Sequence, residues 1–382
     1  EVPRRDQGVD FVLRAHCLVA VGEGQQGLAV LETEREHQSG AATQTLQVIV
    51  QMVEAVLALQ GQATDRHMRI VDAVRAASAI DYGRFLHYVP EWAGRIAEYA
   101  LDAGVETEFL RAAIRQRRLL PDDPTREDWP WRRHVQALGE LRLLRDGEPV
   151  HTAGKSQRKP LELLALLAAH GGGPLTIDAV IDQLWPSLDA NAPRASFDMA
   201  LSRLRKLLEV PDAIRVTEGK VGLNPAVVWT DVAAFEHVWE RLAGLEAGPD
   251  AAATASEAAA PLADRVLALY RDRLLGSEDA TGALQSVRER LAIKFARVVV
   301  DHGARLESLG QWRVATALYE RALTRDTLAE PLYRALMRAH LQLGERAEAL
   351  RTFRRCRQLL TAVLGTEPSA QTQALARAAE GP

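Results

Sequence analysis

Five residue pairs near the C-terminus recur at a spacing of 34: Leu309 and Leu343, Gly310 and Gly344, Ala315 and Ala349, Tyr319 and Phe353, Ala322 and Cys356. A period of this length belongs to repeats built from interlocking antiparallel helix pairs, where small residues let two helices approach and an aromatic side chain fills the space between them. One such match arises easily by chance. Five at one offset commit this part of the chain to stacked helix pairs, each burying its apolar face against the next.

The remainder divides by texture. Over the first 120 residues apolar side chains recur three and four apart, as in Leu46, Ile49, Val50, Val53, Val56 and Leu57, with breaks at Gly22–Gly24, Gly61, Asp81–Gly83 and Gly104. This predicts short helices, arranged as a superhelical repeat or an all-α bundle. The stretch from Pro121-Asp-Asp-Pro124 to Trp129-Pro130-Trp131 ends the helical pattern and marks a boundary. From His134 the segments are short and partly alternating: His134–Leu138, Glu140–Leu144 and Glu148–His151, with Asp146-Gly147 suited to a type I′ hairpin turn. A small antiparallel sheet is therefore expected, followed by helices over Gln157–His170, Thr176 (an N-cap) to Trp185, and Asn191–Glu209 with Pro193 in its first turn. A compact hairpin over Ala213–Leu223 turns at Glu218-Gly219-Lys220. Asp231 reads as the N-cap of a further helix, Val232–Leu242, and residues 244–261, low in complexity, as a flexible loop. The expected domains are 1–130, 134–230 and 231–382, and the expected fold is mainly α, with small antiparallel sheets only in the middle domain.

Composition narrows the functions. A chain of 382 residues suggests two or three domains. Apolar residues at 47% and charged residues at 26% suit an ordinary globular protein. The net formal charge is −4, so any nucleic-acid role must rest on a local basic patch. Cys17 and Cys356 cannot build a disulfide framework or a cysteine-rich zinc site, which points to a reducing, cytoplasmic setting. No run of 18 apolar residues is present, so no membrane span is expected, and no signal peptide is visible. The chain opens Glu1-Val2-Pro3 without methionine, as a fragment or processed product would, and an upstream part could carry other activities.

A local basic patch does occur. On a helical wheel of Asn191–Glu209, Phe197, Leu201, Leu204 and Leu208 form the core seam, while Ala195, Ser196, Met199, Ser202, Arg203 and Lys206 lie opposite. Arg194, Asp198 and Arg205 sit on a flank. Residues 194–206 carry four basic side chains against one acidic, whereas 134–230 balance at eleven each. A second basic cluster is Lys155, Arg158 and Lys159. Small side chains near the start of a helix and cations along its outer face suit a DNA major groove. A solvated helix face carries such charge equally well. The order of sheet, three helices and hairpin favours the DNA reading, because a hairpin wing beside a recognition helix is a recurring DNA-binding arrangement.

Gln157-Arg-Lys-Pro-Leu-Glu-Leu-Leu-Ala-Leu-Leu167, Leu184-Trp185-Pro186 and Leu201-Ser-Arg-Leu-Arg-Lys-Leu-Leu208 resemble the winged helix-turn-helix of the OmpR/PhoB type, in the version carried by SARP-type regulators. Pro331–His340, Gly344–Leu350 and Leu364-Gly-Thr-Glu-Pro-Ser369 resemble the bacterial transcriptional activator domain that accompanies it, a tetratricopeptide-like superhelix. The first 130 residues, with Asp81-Tyr-Gly-Arg-Phe-Leu86, resemble the last repeats of MalT-like regulators, in which an ATPase module lies further upstream. By this resemblance Ser196, Met199 and Arg203 face bases, Arg205 reaches a phosphate, and Lys220 at the hairpin tip makes the wing contact. Ser202, Lys206 and Arg194 complete the candidate DNA-binding set. Ala200 and Ser202 depart from the larger polar or basic residues that many relatives carry.

Other signals are weaker. Gly154-Lys155-Ser156 lacks the first glycine of a phosphate loop, since position 149 is proline. No His-Glu-x-x-His or Gly-x-Ser-x-Gly occurs. His16 and Cys17 read as a packed core pair, Asp122, Asp123 and Asp128 as helix caps or solvent-facing groups, and Tyr82, Phe85, Tyr88 and Trp92 as core. Arg111, Arg115, Arg117 and Arg118 suit a helix C-terminus, with flanking DNA as the alternative. The expected function is thus a DNA-binding transcriptional regulator, an activator rather than an enzyme, needing no cofactor or metal. Expected partners are promoter DNA, RNA polymerase, a second copy of the chain, and a small-molecule or protein signal at the N-terminal repeats. The alternative is a protein-interaction scaffold whose winged helix no longer binds DNA.

Overall fold

A computed structural model describes residues 7–37, 39–150, 158–186, 192–246, 254–276 and 283–381. The chain forms two compact units, one up to Arg132 and one from Arg133 onward. The described residues hold sixteen helices and seven short strands.

The first unit consists of α1 (Gln7–Ala20), α2 (Gly24–Arg35), α3 (Ala41–Gln60), α4 (Arg66–Ala79), α5 (Pro90–Asp102) and α6 (Thr107–Arg117), each packed on its chain neighbour. At its centre is α3, with Leu46, Ile49, Val50, Met52, Val53 and Val56 buried. This helix is long and apolar enough to cross a bilayer by length and composition. Gln47, Gln51 and Glu54 interrupt its apolar run, so it contains no 18 consecutive apolar residues. Here its apolar side chains pack against α2 and α4, as those of a core helix do.

Smaller expectations in this unit are corrected. His16 is buried but Cys17 is exposed, because neighbouring residues on a helix point about 100° apart. Arg117 is partly buried and donates to the carbonyls of Gly83, Phe85 and Leu86, so it anchors a loop. Of the acids after Pro121, Asp122 and Asp128 follow the solvent-facing alternative, with side chains 60% and 71% exposed. Asp128 joins Glu98 and Asp102 around Arg126, Asp122 pairs with Arg95, and Asp123 accepts the Thr125 N–H. Of the aromatic series only Phe85 is fully buried, whereas Tyr88 is exposed.

The second unit opens with a four-stranded sheet in the order β3-β2-β1-β7, formed by β1 (Arg133–Gln136), β2 (Arg142–Arg145), β3 (Glu148–Pro149) and β7 (Val228–Thr230). Val135 pairs antiparallel with Leu143 on one side and parallel with Thr230 on the other. The β2–β3 turn is the expected hairpin: Asp146 (φ 50°) and Gly147 (φ 93°) both adopt the left-handed conformation that a type I′ turn requires. Three helices follow, α7 (Arg158–Ala169), α8 (Ile177–Leu184) and α9 (Ala192–Leu208). Thr176 caps α8 as expected, its hydroxyl accepting the Ala179 N–H. The wing comprises β5 (Ile214–Thr217) and β6 (Lys220–Leu223), with β4 (Leu175–Thr176) added beside β6.

The rest is a helical array: α10 (Asp231–Glu246), α11 (Thr254–Leu269), α12 (Ala283–Ser308), α13 (Trp312–Leu323), α14 (Glu330–Gln342), α15 (Arg346–Leu364) and α16 (Ala370–Glu380). Of the expected loop over 244–261, residues 244–246 and 254–261 are helical, and residues 247–253 lie outside the described residues. α10 extends to Glu246, and the Ala-rich segment starts α11, with Ala259 and Ala263 buried. Alanine is the best helix former, and that property outweighs low complexity. The 34-residue repeat has a direct structural basis. Gly310 and Gly344 both adopt positive φ (73° and 76°), directly before α13 and α15. Ala315 with Ala349, and Ala322 with Cys356, are fully buried at matched positions of those helices. At Gly303 of α12 an added Cβ would stand 2.1 Å from the Tyr319 hydroxyl oxygen, so a glycine there lets α12 and α13 approach.

Candidate nucleic-acid interface

The core seam of α9 is the one its periodicity predicts, with one addition. Phe197, Leu201, Leu204 and Leu208 are buried, and so is Ala200, at 3% exposure. Ala200 falls at the edge of the core stripe. Its small size therefore reflects packing, and it is not a departure on the reading face. Opposite the seam, Met199 is 54% exposed; Ser202, Arg203 and Lys206 are exposed beside it, and Ser196 is half-buried. The structure thus brings Met199, Ser202, Arg203 and Lys206 onto one open face. Arg205 is exposed on the flank. Arg194, also on the flank, pairs with Asp198 at 3.5 Å and lies over the Phe197 ring.

In the second basic cluster the Arg158 side chain is 83% exposed and that of Lys159 45%, and both make surface ion pairs. Arg158 and Lys159 both pair with Glu162, and Lys159 also donates to the Leu184 carbonyl and lies over the Trp185 ring. Lys155 and the Gly154-Lys155-Ser156 sequence lie outside the described residues.

Two features tie the wing to the start of α8. The carbonyl of Gly219, in the wing turn, accepts the Ile177 N–H at the start of α8 at 2.9 Å. Lys220, exposed, sits one residue past the turn, where its backbone pairs with Thr217 and Thr176. Its side chain therefore projects from a three-stranded sheet, with Glu218 as an acidic neighbour at the tip.

Several positioning residues gave no local sequence signal. Arg133 donates from Nε to the Leu208 carbonyl, satisfying an orphan acceptor at the end of α9. Arg145 pairs with Glu209 just beyond it at 2.7 Å. Asp231, expected to be an N-cap, lies instead inside its helix. Thr230 takes the capping role by accepting the Ala233 N–H. The Asp231 carboxylate is fully buried, accepts the N–H groups of Ala137 and Leu138 at 2.9 Å, and pairs with Arg271 at 2.7 Å. Burial pushes its pKa up to about 6, against the opposing pull of Arg271 and the backbone donors of Ala137, Leu138 and Val232. Alongside, the Leu275 N–H donates to the Ala137 carbonyl, Leu138 and Gly139 bridge to Leu274, and Arg288 donates to the Leu274 carbonyl. The strand that opens the sheet is thereby bonded into the helical array. Among the described residues, no group of three His, Cys, Asp or Glu side chains could hold a metal.

Part of the chain is similar to known proteins. Residues 230–379 match the bacterial transcriptional activator domain. The chain is 28% identical to the transcriptional regulatory protein EmbR of Mycobacterium tuberculosis over 256 residues, covering 62% of this chain and 61% of EmbR. It is 30% identical to the regulatory protein AfsR of Streptomyces coelicolor, covering 67% of this chain and 25% of that protein. With the regulatory protein DnrI of Streptomyces peucetius it shares 28% identity over 64% of this chain and 90% of DnrI. A solved structure of M. tuberculosis EmbR in complex with a low-affinity phosphopeptide aligns over 65% of each chain at 25% identity and a TM-score of 0.47. The chain therefore spans less than two thirds of EmbR and a quarter of AfsR, and all three relatives are named as regulators, not enzymes. The chain thus carries the bacterial transcriptional activator domain and is similar, across it and the region before it, to transcriptional regulators of the SARP type.

Proposed function

We propose that this chain controls transcription by binding promoter DNA through α9. Ser196, Met199 and Arg203 face the base edges, Ser202 and Lys206 lie along the same groove, and Arg194, Arg205 and the wing residue Lys220 contact the backbone. The observation that carries this reading is the exposed Met199–Ser202–Arg203–Lys206 face, diametrically opposite a fully buried seam, on a helix whose end is fixed by Arg133. Backbone contacts set register, and the α9 face supplies discrimination. The helical array is assigned contacts to RNA polymerase or to a second copy of the chain, and the N-terminal helices the reception of a small-molecule or protein signal.

The test is fluorescence anisotropy of the chain with a pool of promoter fragments from its source genome, at two salt concentrations, with Arg203→Ala as control. Expected is binding that weakens steeply with salt, through counterion release, and that Arg203→Ala reduces. Absence of binding at low salt would favour the scaffold reading instead.

A further inference from the structure

The helical array carries a charge imbalance that DNA reading through α9 does not use. Residues 283–382 hold sixteen basic side chains against ten acidic, in a chain whose net charge is −4. Much of the excess sits on one helix. α15 has five arginines and one glutamate, and from Arg351 to Leu364 it has four arginines and no acid.

Helix geometry gathers these charges. Ala349, Cys356 and Leu360 are buried, on the side from which α15 packs with α14 and α16. At about 100° per residue, Arg351, Arg354 and Gln358 fall on the opposite side, with Arg355 and Arg357 on its two flanks. All four arginines are exposed. Arg354 has no ion-pair or hydrogen-bond partner among the described residues. Arg355 lies 5.9 Å over the Tyr333 ring, and Arg357 6.0 Å over the Phe353 ring. Tyr333 is fully buried and its hydroxyl donates to the Thr327 carbonyl, so the ring beneath Arg355 is fixed. A guanidinium laid on a held ring loses less freedom when it pairs. Arg351 pairs with Glu348 one turn back, a surface contact that a partner's carboxylate can replace at little cost.

The last turn of the helix selects between anionic partners. Val363 is 59% and Leu364 54% exposed, directly beyond the arginines. A phosphate backbone matches the guanidinium groups but offers nothing to two uncovered aliphatic side chains. A polypeptide carries carboxylates and apolar side chains together, and arginine beside apolar surface suits a protein interface. We propose that the outer face of α15 docks an acidic segment of a protein partner, its carboxylates over Arg351, Arg354, Arg355 and Arg357 and an apolar side chain against Val363 and Leu364. This rests on the reading that the array makes a protein contact, and it names the chemistry of that contact.

The experiment uses the full chain and a fluorescein-labelled synthetic helix with glutamate along one face and leucine at one end, matched to the 19 residues of α15. Expected is saturable binding that weakens with salt and is absent when glutamine replaces the glutamates. Arg354→Glu/Arg357→Glu should weaken it at least about tenfold, because like charges then meet, with thermal unfolding and binding to a DNA duplex unchanged. Val363→Ser/Leu364→Ser should weaken it about threefold or more through lost apolar burial. Absence of peptide binding, or binding indifferent to the charge reversal, would overturn the proposal. Loss of duplex binding in the reversal variant would assign the face to nucleic acid instead, and a dimer that dissociates in that variant would assign it to a second copy. A chain that binds the peptide through α15 yet neither self-associates nor co-sediments with RNA polymerase would refute the parent reading of those two partners and leave the docking face standing.

Discussion

Replacing Asp231 with Ala tests whether one carboxylate joins the sheet to the array. The substitution orphans the N–H groups of Ala137 and Leu138, both fully buried residues, and leaves Arg271 without its 2.7 Å partner. An unsatisfied buried donor costs about 1–3 kcal/mol, and breaking a buried ion pair about 3–5 kcal/mol. These costs overlap, because the same carboxylate serves all three donors, so the expected loss is about 4 kcal/mol. In a domain of about 150–250 residues each kcal/mol moves the melting temperature by about 2–4 °C, giving a fall of roughly 8–16 °C. Differential scanning calorimetry of the full chain at pH 7.5 measures it, and the transition of the N-terminal unit should stay in place. A shift below about 2 °C would refute the reasoning and reduce Asp231 to an ordinary helix residue. The pH dependence supplies a second check. The folded pKa, about 6, lies above the ordinary aspartate value of 3.8, so the folded state binds the proton more tightly than the unfolded state. This group's contribution to stability is therefore largest below the unfolded pKa, declines as pH rises through the folded value and is flat beyond it. Relative to Asp231→Asn, the wild-type chain should gain stability as pH falls from 7 toward 5.

Further predictions follow from individual positions. Arg203→Ala should cost about 1–3 kcal/mol of affinity at a specific promoter site without moving the melting temperature, and unchanged affinity would remove Arg203 from the reading face. Ala200→Glu and Ser202→Glu, two residues apart on α9, should separate cleanly: the first buries a charge and lowers stability, the second leaves stability near wild type and weakens DNA binding by repulsion from phosphate. Gly303→Ala places a methyl within 2.1 Å of the Tyr319 hydroxyl oxygen and should destabilise by about 1–3 kcal/mol through overpacking, measured by urea denaturation.

What was legible in the sequence had a local cause. The α9 seam follows from periodicity, and the two hairpins from Asp146-Gly147 and Glu218-Gly219, where few other residues accept positive φ. The array's repeat shows at Gly310 and Gly344 because each helix pair needs the same turn. What stayed hidden depended on partners distant in sequence. The three residues of β7 show no pattern of their own and become a strand only beside β1. Arg158 and Lys159 look like a basic patch until Glu162 and the Leu184 carbonyl occupy them. Asp231 resembles a cap in every respect except that its carboxylate accepts from the N–H groups of Ala137 and Leu138, about 94 positions earlier. Of the candidate site, the face of α9 could be read from the chain, whereas the groups that hold it in place could not.

The hydrogen bond from Leu275 to Ala137, with the bridge from Leu138 to Leu274, bears on how such regulators exchange parts. A chimera cut at residue 230 would graft a foreign DNA reader onto this array and sever these ties, leaving main-chain groups on both sides unmatched. A working graft must carry residues 271–276 along with the reader, or preserve their geometry in the host. Recombination between relatives would then be tolerated not where sequence homology changes, but where no backbone bond crosses the cut.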